Sequence, residues 1–280
     1  MSLQRPSTAV RTGQYIALLG YVVFLGFPLV WLMSTALKST SEIALGSIRL
    51  IPDTPTLDNF SAAIAKANLW QAGFNSLVVA IGTTVLTVVI ALPAAYGLAR
   101  YRTILRPITL GWVLVSQMFP TILVIIPLFM ILKRLQLLDQ LPGLVVVYVV
   151  YVLPFCLWML FGFVQTIPAD IEEAAAIDGA GRIRTLVSIV FPLLRPGIVA
   201  TALFAFISSW NEFLISSQLS SDATQPVTVA IASFTGSQPH QEPYTAVMAA
   251  GTIVTIPIII LVLIFQRRIV AGLTAGGVKG

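Results

Sequence analysis

Six apolar stretches decide what this chain can fold into. Residues 15–37, 73–98, 108–132, 141–164, 196–218 and 245–266 are long and nearly free of charge. Each matches the roughly 20 residues that an α-helix needs to cross the hydrocarbon core of a bilayer. Of the whole chain 57% is hydrophobic and 10% charged, where a soluble domain carries about 25% charged residues. A chain of 280 residues cannot hide that much apolar surface in one core. With lipid as solvent the difficulty disappears. The expected fold is all-α: a polytopic membrane protein of six transmembrane helices, one domain over residues 1–280.

Pro93, Pro120, Pro127, Pro154 and Pro257 interrupt these runs. In water they would argue against helix, but in a membrane bundle neighbouring groups re-satisfy the freed backbone. The first stretch follows Arg5 and Arg11 as a secretory signal would. Its length of about 23 residues exceeds the 7–15 of a signal core, so it reads as an uncleaved anchor. Lysine and arginine set the orientation. Eleven of them (Arg5, Arg11, Arg100, Arg102, Arg106, Arg182, Arg184, Arg195, Arg267, Arg268, Lys279) fall on one side. Five (Lys38, Arg49, Lys66, Lys133, Arg134) fall on the other. Both termini are therefore expected in the cytoplasm. Residues 38–72 and 219–244 become external loops, and 165–195 the long cytoplasmic one.

Several classes are excluded early. The single cysteine, Cys156, has no CxxC neighbour and reads as a small buried hydrophobe. The single histidine, His240, lies in a polar Gln/Pro-rich stretch and reads as a solvated loop residue. No metal site and no catalytic cluster is expected. No GxxxxGK[ST] phosphate loop occurs, and the GGVKG of 276–280 lacks the required spacing.

The cytoplasmic loop, 168–195, carries the most information. Pro168 marks a stop and Asp170 suits an N-cap. Glu172 and Glu173 suit the positive end of a helix, and Ala174, Ala175 and Ala176 continue it. Gly179 permits a left-handed turn. A second helical stretch over 182–191 then stops at Pro192. The expectation is a helix, a glycine corner and another helix at the membrane surface.

The run Glu173-Ala174-Ala175, three residues, Gly179, nine residues, Ile189, one residue, then Phe191-Pro192 resembles the "EAA loop" of ATP-binding-cassette import permeases. The usual pattern ends in Leu-Pro, and Phe191 is a conservative departure. The resemblance covers nearly the whole chain. MFPTILVIIPLF (118–129), LPFCLWML (153–160), WNEF (210–213) and QRRIVAGLTAGGVKG (266–280) are similar to maltose-type sugar permeases. Asn75-Ser76 and AAYGLAR (94–100) fit the smaller, six-span subunit of such importers.

That resemblance implies the type I importer fold, a bacterial inner-membrane location and a set of partners. These are a second permease, two ATPase subunits and an extracytoplasmic sugar-binding protein, with no nucleic acid involved. ATP and Mg2+ would be bound by the ATPases and no cofactor by this chain. Glu172, Glu173, Ala174, Ala175, Asp178, Gly179, Ile189 and Pro192 would couple to an ATPase. The tail Gly272–Gly280, with Lys279 its only charge, would reach between the ATPases or else form a frayed end. ATP-driven closure of the ATPases would then push the 169–192 elbow and open the path outward, and hydrolysis would reset it, giving alternating access.

Polar residues inside spans are functional hypotheses by default. Glu212, beside Asn211 and Trp210, is the only acid in a proposed span. Counted from Arg195 it lies about 25 Å along the helix, near the outer boundary. There an external gate and an interfacial structural acid are equally open, and Trp210 suits an aromatic belt. Gln117, with Trp158 or Tyr151, matches a carbohydrate lining. Gln117 and Asn75 serve as well for interhelical hydrogen bonds worth about 1 kcal/mol. A self-sufficient secondary transporter or channel is the alternative. It would show buried acids or matched pairs of broken spans, which this chain lacks.

Overall fold

The computed structural model describes residues 8–101, 103–236 and 244–277. Among them the regular structure is helical, with no strand. In chain order the helices are α1 (Thr8–Ala36), α2 (Thr40–Ala44), α3 (Asp58–Lys66), α4 (Leu69–Arg100) and α5 (Leu105–Ser116). Next come α6 (Thr121–Arg134), α7 (Leu141–Gln165), α8 (Asp170–Ile177) and α9 (Arg182–Thr185). A π turn (Leu186–Val190) leads into α10 (Phe191–Leu193) and α11 (Arg195–Trp210). The last are α12 (Ser216–Leu219), α13 (Val227–Gly236) and α14 (Tyr244–Gly277).

Four helices (α1, α4, α7 and α14) are long and apolar enough to cross a membrane singly. Two bent pairs raise the number to six if each counts as one span. The prolines inside α4, α6, α7 and α14 are accommodated within continuous helix, as expected. Pro120 is not. The stretch 108–132 is two helices, α5 and α6, meeting at 101°. Proline disfavours helical backbone at the residue before it, and Pro120 itself is extended, at φ −61° and ψ 122°. In the other pair, α11 meets the helix before it at 72°. Pro196 stands in the first turn of α11, where its missing N–H has no intrahelical acceptor to lose.

The spans differ from expectation at their ends too. The 196–218 stretch stops being helix at Trp210, and a turn separates it from the four-residue α12. The stretch 219–244 is not simply loop, since α13 occupies Val227–Gly236.

The chain forms two compact units: Met1–Leu69 with Ile231–Ile256, and Trp70–Ala230 with Pro257–Gly280. In the first, Asn59 is the fastening. Its amide donates to the carbonyls of Ala36 and Lys38, both at 2.7 Å, and its Oδ1 accepts from Thr245 at 2.8 Å. The Ala36 carbonyl is one of the acceptors left open at a helix C-terminus. Lys38 is fully buried, with Nζ 5.1 Å from the Trp31 ring and 3.3 Å from the Ser47 carbonyl.

Among the described residues the second unit has two apolar clusters. One lies at the end bearing α8, which we call the elbow end. It joins Ala91 and Ala95 of α4, Cys156, Leu160 and Val164 of α7, then Val190, Leu194 and Ala205. Cys156 is buried there, as its sequence context predicts. The other cluster, at the loop end, joins Val79, Leu144, Tyr148, Ile215 and Leu219. The approach of α11 to α7 needs glycine at one place. A Cβ on Gly197 would stand 2.5 Å from the Phe163 ring.

Candidate functional site

The elbow is a helix, a left-handed corner and an irregular helix. α8 starts at Asp170, with Ala169 as a cap that makes no side-chain bond, so Asp170 is the first helical residue rather than the N-cap. With Glu172 and Glu173 it still places three acids in the first turn, where the helix dipole favours negative charge. Gly179 has φ +80°, and a Cβ would meet open space there. Its glycine therefore answers to backbone conformation alone.

The second arm does not stop at Pro192 as predicted. Helix resumes through Leu193 because the turn ahead of the proline has widened, with the Phe191 N–H bonding five residues back to Leu186. A proline ring in a regular helix clashes with the carbonyl four residues before it, and the wider turn relieves that clash.

The predicted coupling residues divide by exposure. Glu173, Ala174, Asp178 and Gly179 are exposed, as are Ile177 at 87% and Ile183 at 80%. Ala175 is buried, and Ile189 and Pro192 are half-buried. Glu172 turns inward. Its Oε1 accepts from Nε of Arg100 at 2.6 Å and its Oε2 from the Tyr96 hydroxyl at 2.6 Å. Both side chains of the ion pair are 16% exposed. The Nη2 of Arg100 also donates to the Ile167 carbonyl at 2.9 Å, just beyond α7. Sequence reasoning missed Tyr96 and Arg100 as site residues. The available signal was their spacing in AAYGLAR, four residues apart on one helix face.

At the loop end, Glu212 lies past the helix rather than within a span. Its Oε1 accepts from the Ile215 N–H at 2.7 Å. Its Oε2 accepts from the Ser216 N–H at 3.0 Å and the Tyr148 hydroxyl at 2.8 Å. The amides belong to the start of α12, where helix geometry offers no acceptors. The Glu212 carbonyl in turn accepts from Thr228 at 2.7 Å. Trp210 is 4% exposed and stacks on Phe206 at 5.7 Å, so it is core rather than belt.

Four of the five predicted path residues come together. Gln117, Tyr151, Asn211 and Glu212 line a cavity of about 370 Å³ with Phe155, Phe204, Ser208 and Phe213. A neighbouring cavity of about 400 Å³, lined by Trp112, Phe119 and Pro154, shares Gln117 and Tyr151. Trp158 is exposed on α7 and lines neither. Together the walls offer an amide pair, hydroxyls and aromatic faces. Among the described residues no group of three or more His, Cys, Asp or Glu could hold a metal ion.

Asn75 proves to be a staple for the 219–227 segment. It accepts from Gln71 and donates to the carbonyls of Ala223 and Gln225, each at 3.1 Å. Ser76 accepts from the Val227 N–H at 2.8 Å. Asp139, at φ +59°, accepts from Thr224 and from both the N–H and hydroxyl of Ser221. Those bonds, Thr224's first, hold its carboxyl below the usual aspartate range against a weaker desolvation effect. Of the tail, Gly272 belongs to α14, while Lys279 and Gly280 lie outside the described residues.

These features define a multi-pass helical membrane protein with a solvent-facing helical elbow fastened to its core. Residues 87–274 match the family described as binding-protein-dependent transport system inner membrane component. The chain is 50% identical to a putative ABC transporter permease protein of Streptomyces antibioticus, over 82% of this chain and 100% of that one. It is 40% identical to the trehalose transport system permease protein of Mycobacterium tuberculosis, over 96% and 99%. With the trehalose/maltose transport system permease protein of Thermococcus litoralis the identity is 37%, over 91% of each. A bacterial ABC transporter involved in import of the acidic polysaccharide alginate has the same fold. It matches at TM-score 0.79 and 22% identity, over 94% of this chain and 98% of its own. The chain belongs to the binding-protein-dependent inner membrane permease family, and it is an inner-membrane, multi-pass protein.

Proposed function

We propose that this chain is one of two membrane-spanning subunits of a bacterial ATP-driven importer that takes a carbohydrate from an extracytoplasmic binding protein. The observation that carries the reading is the elbow. Ile177, Ile183 and Glu173 stand exposed on α8 and α9, while Ala175 and Val190 root the same segment in the chain. An exposed apolar rim beside a carboxylate suits a protein partner with a cleft and a basic residue. The names of the trehalose and maltose relatives support a sugar as cargo.

In this reading residues 1–280 act as one permease domain with both termini in the cytoplasm, as the lysine and arginine count supports. Two ATPase subunits bind ATP and Mg2+, this chain binds no cofactor, and catalysis belongs to the ATPases. Glu173, Ala174, Asp178 and Gly179 meet an ATPase, and Gly272–Gly280 approaches the ATPase pair. A second permease completes the path. Gln117, Tyr151, Asn211 and Glu212 form this chain's share of it, since amides and aromatic faces in one cavity suit a polyhydroxylated ring. Trp158 has no part in that cavity.

The test is mass spectrometry of what co-purifies with the chain from its native membrane in mild detergent. An ATPase and a second permease are expected. Recovery of the chain alone, or only as a homo-oligomer, would overturn the importer reading and favour a self-sufficient carrier.

A further inference from the structure

We propose that Arg100 and Tyr96 are positioning residues which, with Glu172, form a tether that carries displacement of the elbow into α4. The inference rests on the docking role proposed above and goes beyond it. Glu172 and Glu173 are adjacent but point apart, as neighbours on a helix do. Glu173 is free to meet a partner, whereas both oxygens of Glu172 are taken from within the chain at 2.6 Å. The elbow thus has an outward acid for gripping and an inward acid for transmitting.

The shape of the tether suits that division. Arg100 ends α4, and its guanidinium reaches Glu172 in the first turn of α8 and the Ile167 carbonyl after α7 at once. A planar guanidinium engaged on two sides resists sliding in a way that apolar contact does not. At 16% exposure the ion pair is shielded from the screening that empties surface pairs of effect. The other arm of the elbow is anchored differently, through Val190 and Leu194 in the apolar cluster. α4 then runs about 37 Å from Arg100 to Asn75 at 1.5 Å per residue. There Asn75 and Ser76 hold the 223–227 segment. One continuous helix therefore links the elbow to the opposite end of its unit.

The test uses the complete importer in proteoliposomes, with Arg100→Leu, Arg100→Lys, the exchange Arg100→Glu with Glu172→Arg, and Glu173→Ala. Monodispersity in detergent confirms that each variant folds. Arg100→Leu is expected to keep its ATPase subunits on co-purification. Its uptake, and the stimulation of hydrolysis by loaded binding protein, should fall at least about tenfold, the equivalent of about 1.4 kcal/mol. Arg100→Lys and the exchange should each recover part of the loss, which a merely structural role for Arg100 would not predict. Glu173→Ala should instead shed the ATPase. Normal stimulation in Arg100→Leu would overturn the tether, as would ATPase loss matching that of Glu173→Ala. Failure of the unaltered chain to retain any ATPase would sink the importer reading and the tether with it.

Discussion

Glu172 and Glu212 each hold a tyrosine hydroxyl, but they are satisfied at different ranges. Glu172 bonds to side chains 72 and 76 residues away, one of them a cation. Glu212 takes its other two bonds from amides three and four residues on, with no cation. The first arrangement joins separate elements, so movement of one strains the other. The second folds the chain back on itself, shaping the turn after α11 and one wall of the cavity. Both acids reach a distant tyrosine, so what separates a transmitting group from a local brace is the cation on a separate helix that only Glu172 holds.

The largest expected effect is on stability at the brace. Glu212→Leu strands two amides and a phenol, and buried donors left unpaired cost about 1–3 kcal/mol each. A loss on the order of 3 kcal/mol is expected, read as a fall in apparent Tm in detergent. Glu172→Leu should lose only about 1 kcal/mol, because Arg100 keeps its bond to the Ile167 carbonyl. Equal losses would break the comparison.

The corner at Gly179 sharpens it from the elbow side. A β-branched residue in left-handed conformation is strained by about 1–2 kcal/mol. Gly179→Val should therefore weaken ATPase retention by about tenfold, the equivalent of 1.4 kcal/mol, and lower the apparent Tm by no more than that strain accounts for. Unchanged retention would show that the corner angle does not matter to docking.

The smallest effect concerns Asp139, which combines both modes by bracing a loop about 80 residues away in sequence. Its folded-state pKa lies below the unperturbed 3.8. Its contribution is thus present above that value and is lost as pH falls through the folded-state pKa. Pepsin cleavage within 219–226 should rise only in that acid window. Asp139→Asn should show the elevated cleavage already at mildly acid pH, with little further rise. A native chain whose cleavage of this segment already climbs near neutrality would contradict the assignment.

Local signals in the chain proved readable, and distant ones did not. The acids, alanines and glycine of 170–179 specify a helix and its corner within ten residues, so that arm of the elbow was legible. The ion pair of Glu172 was not, because nothing near residue 172 names Arg100. Extending the fifth span past Trp210 placed Glu212 inside it, at its outer boundary, since WNEF contains no glycine or proline to mark the break. The helix α13 was missed because Val227, Thr228 and Val229 are β-branched and disfavour helix in isolation. Tertiary packing overrides that preference, and Val227 and Val229 are buried. The bend at Pro120 was within reach, for proline constrains its predecessor wherever it occurs. Reading every proline as tolerated hid it.

That bend has a consequence for solvation. If α5 and α6 together make one span, the four residues between them sit at the depth of the acyl chains without regular helical bonding. Bare peptide groups are not tolerated against hydrocarbon. The face of the chain at Gln117–Pro120 must therefore be wetted or covered by protein, and excluded from the lipid annulus. The break thus marks, on an otherwise greasy surface, a patch that acyl chains cannot occupy.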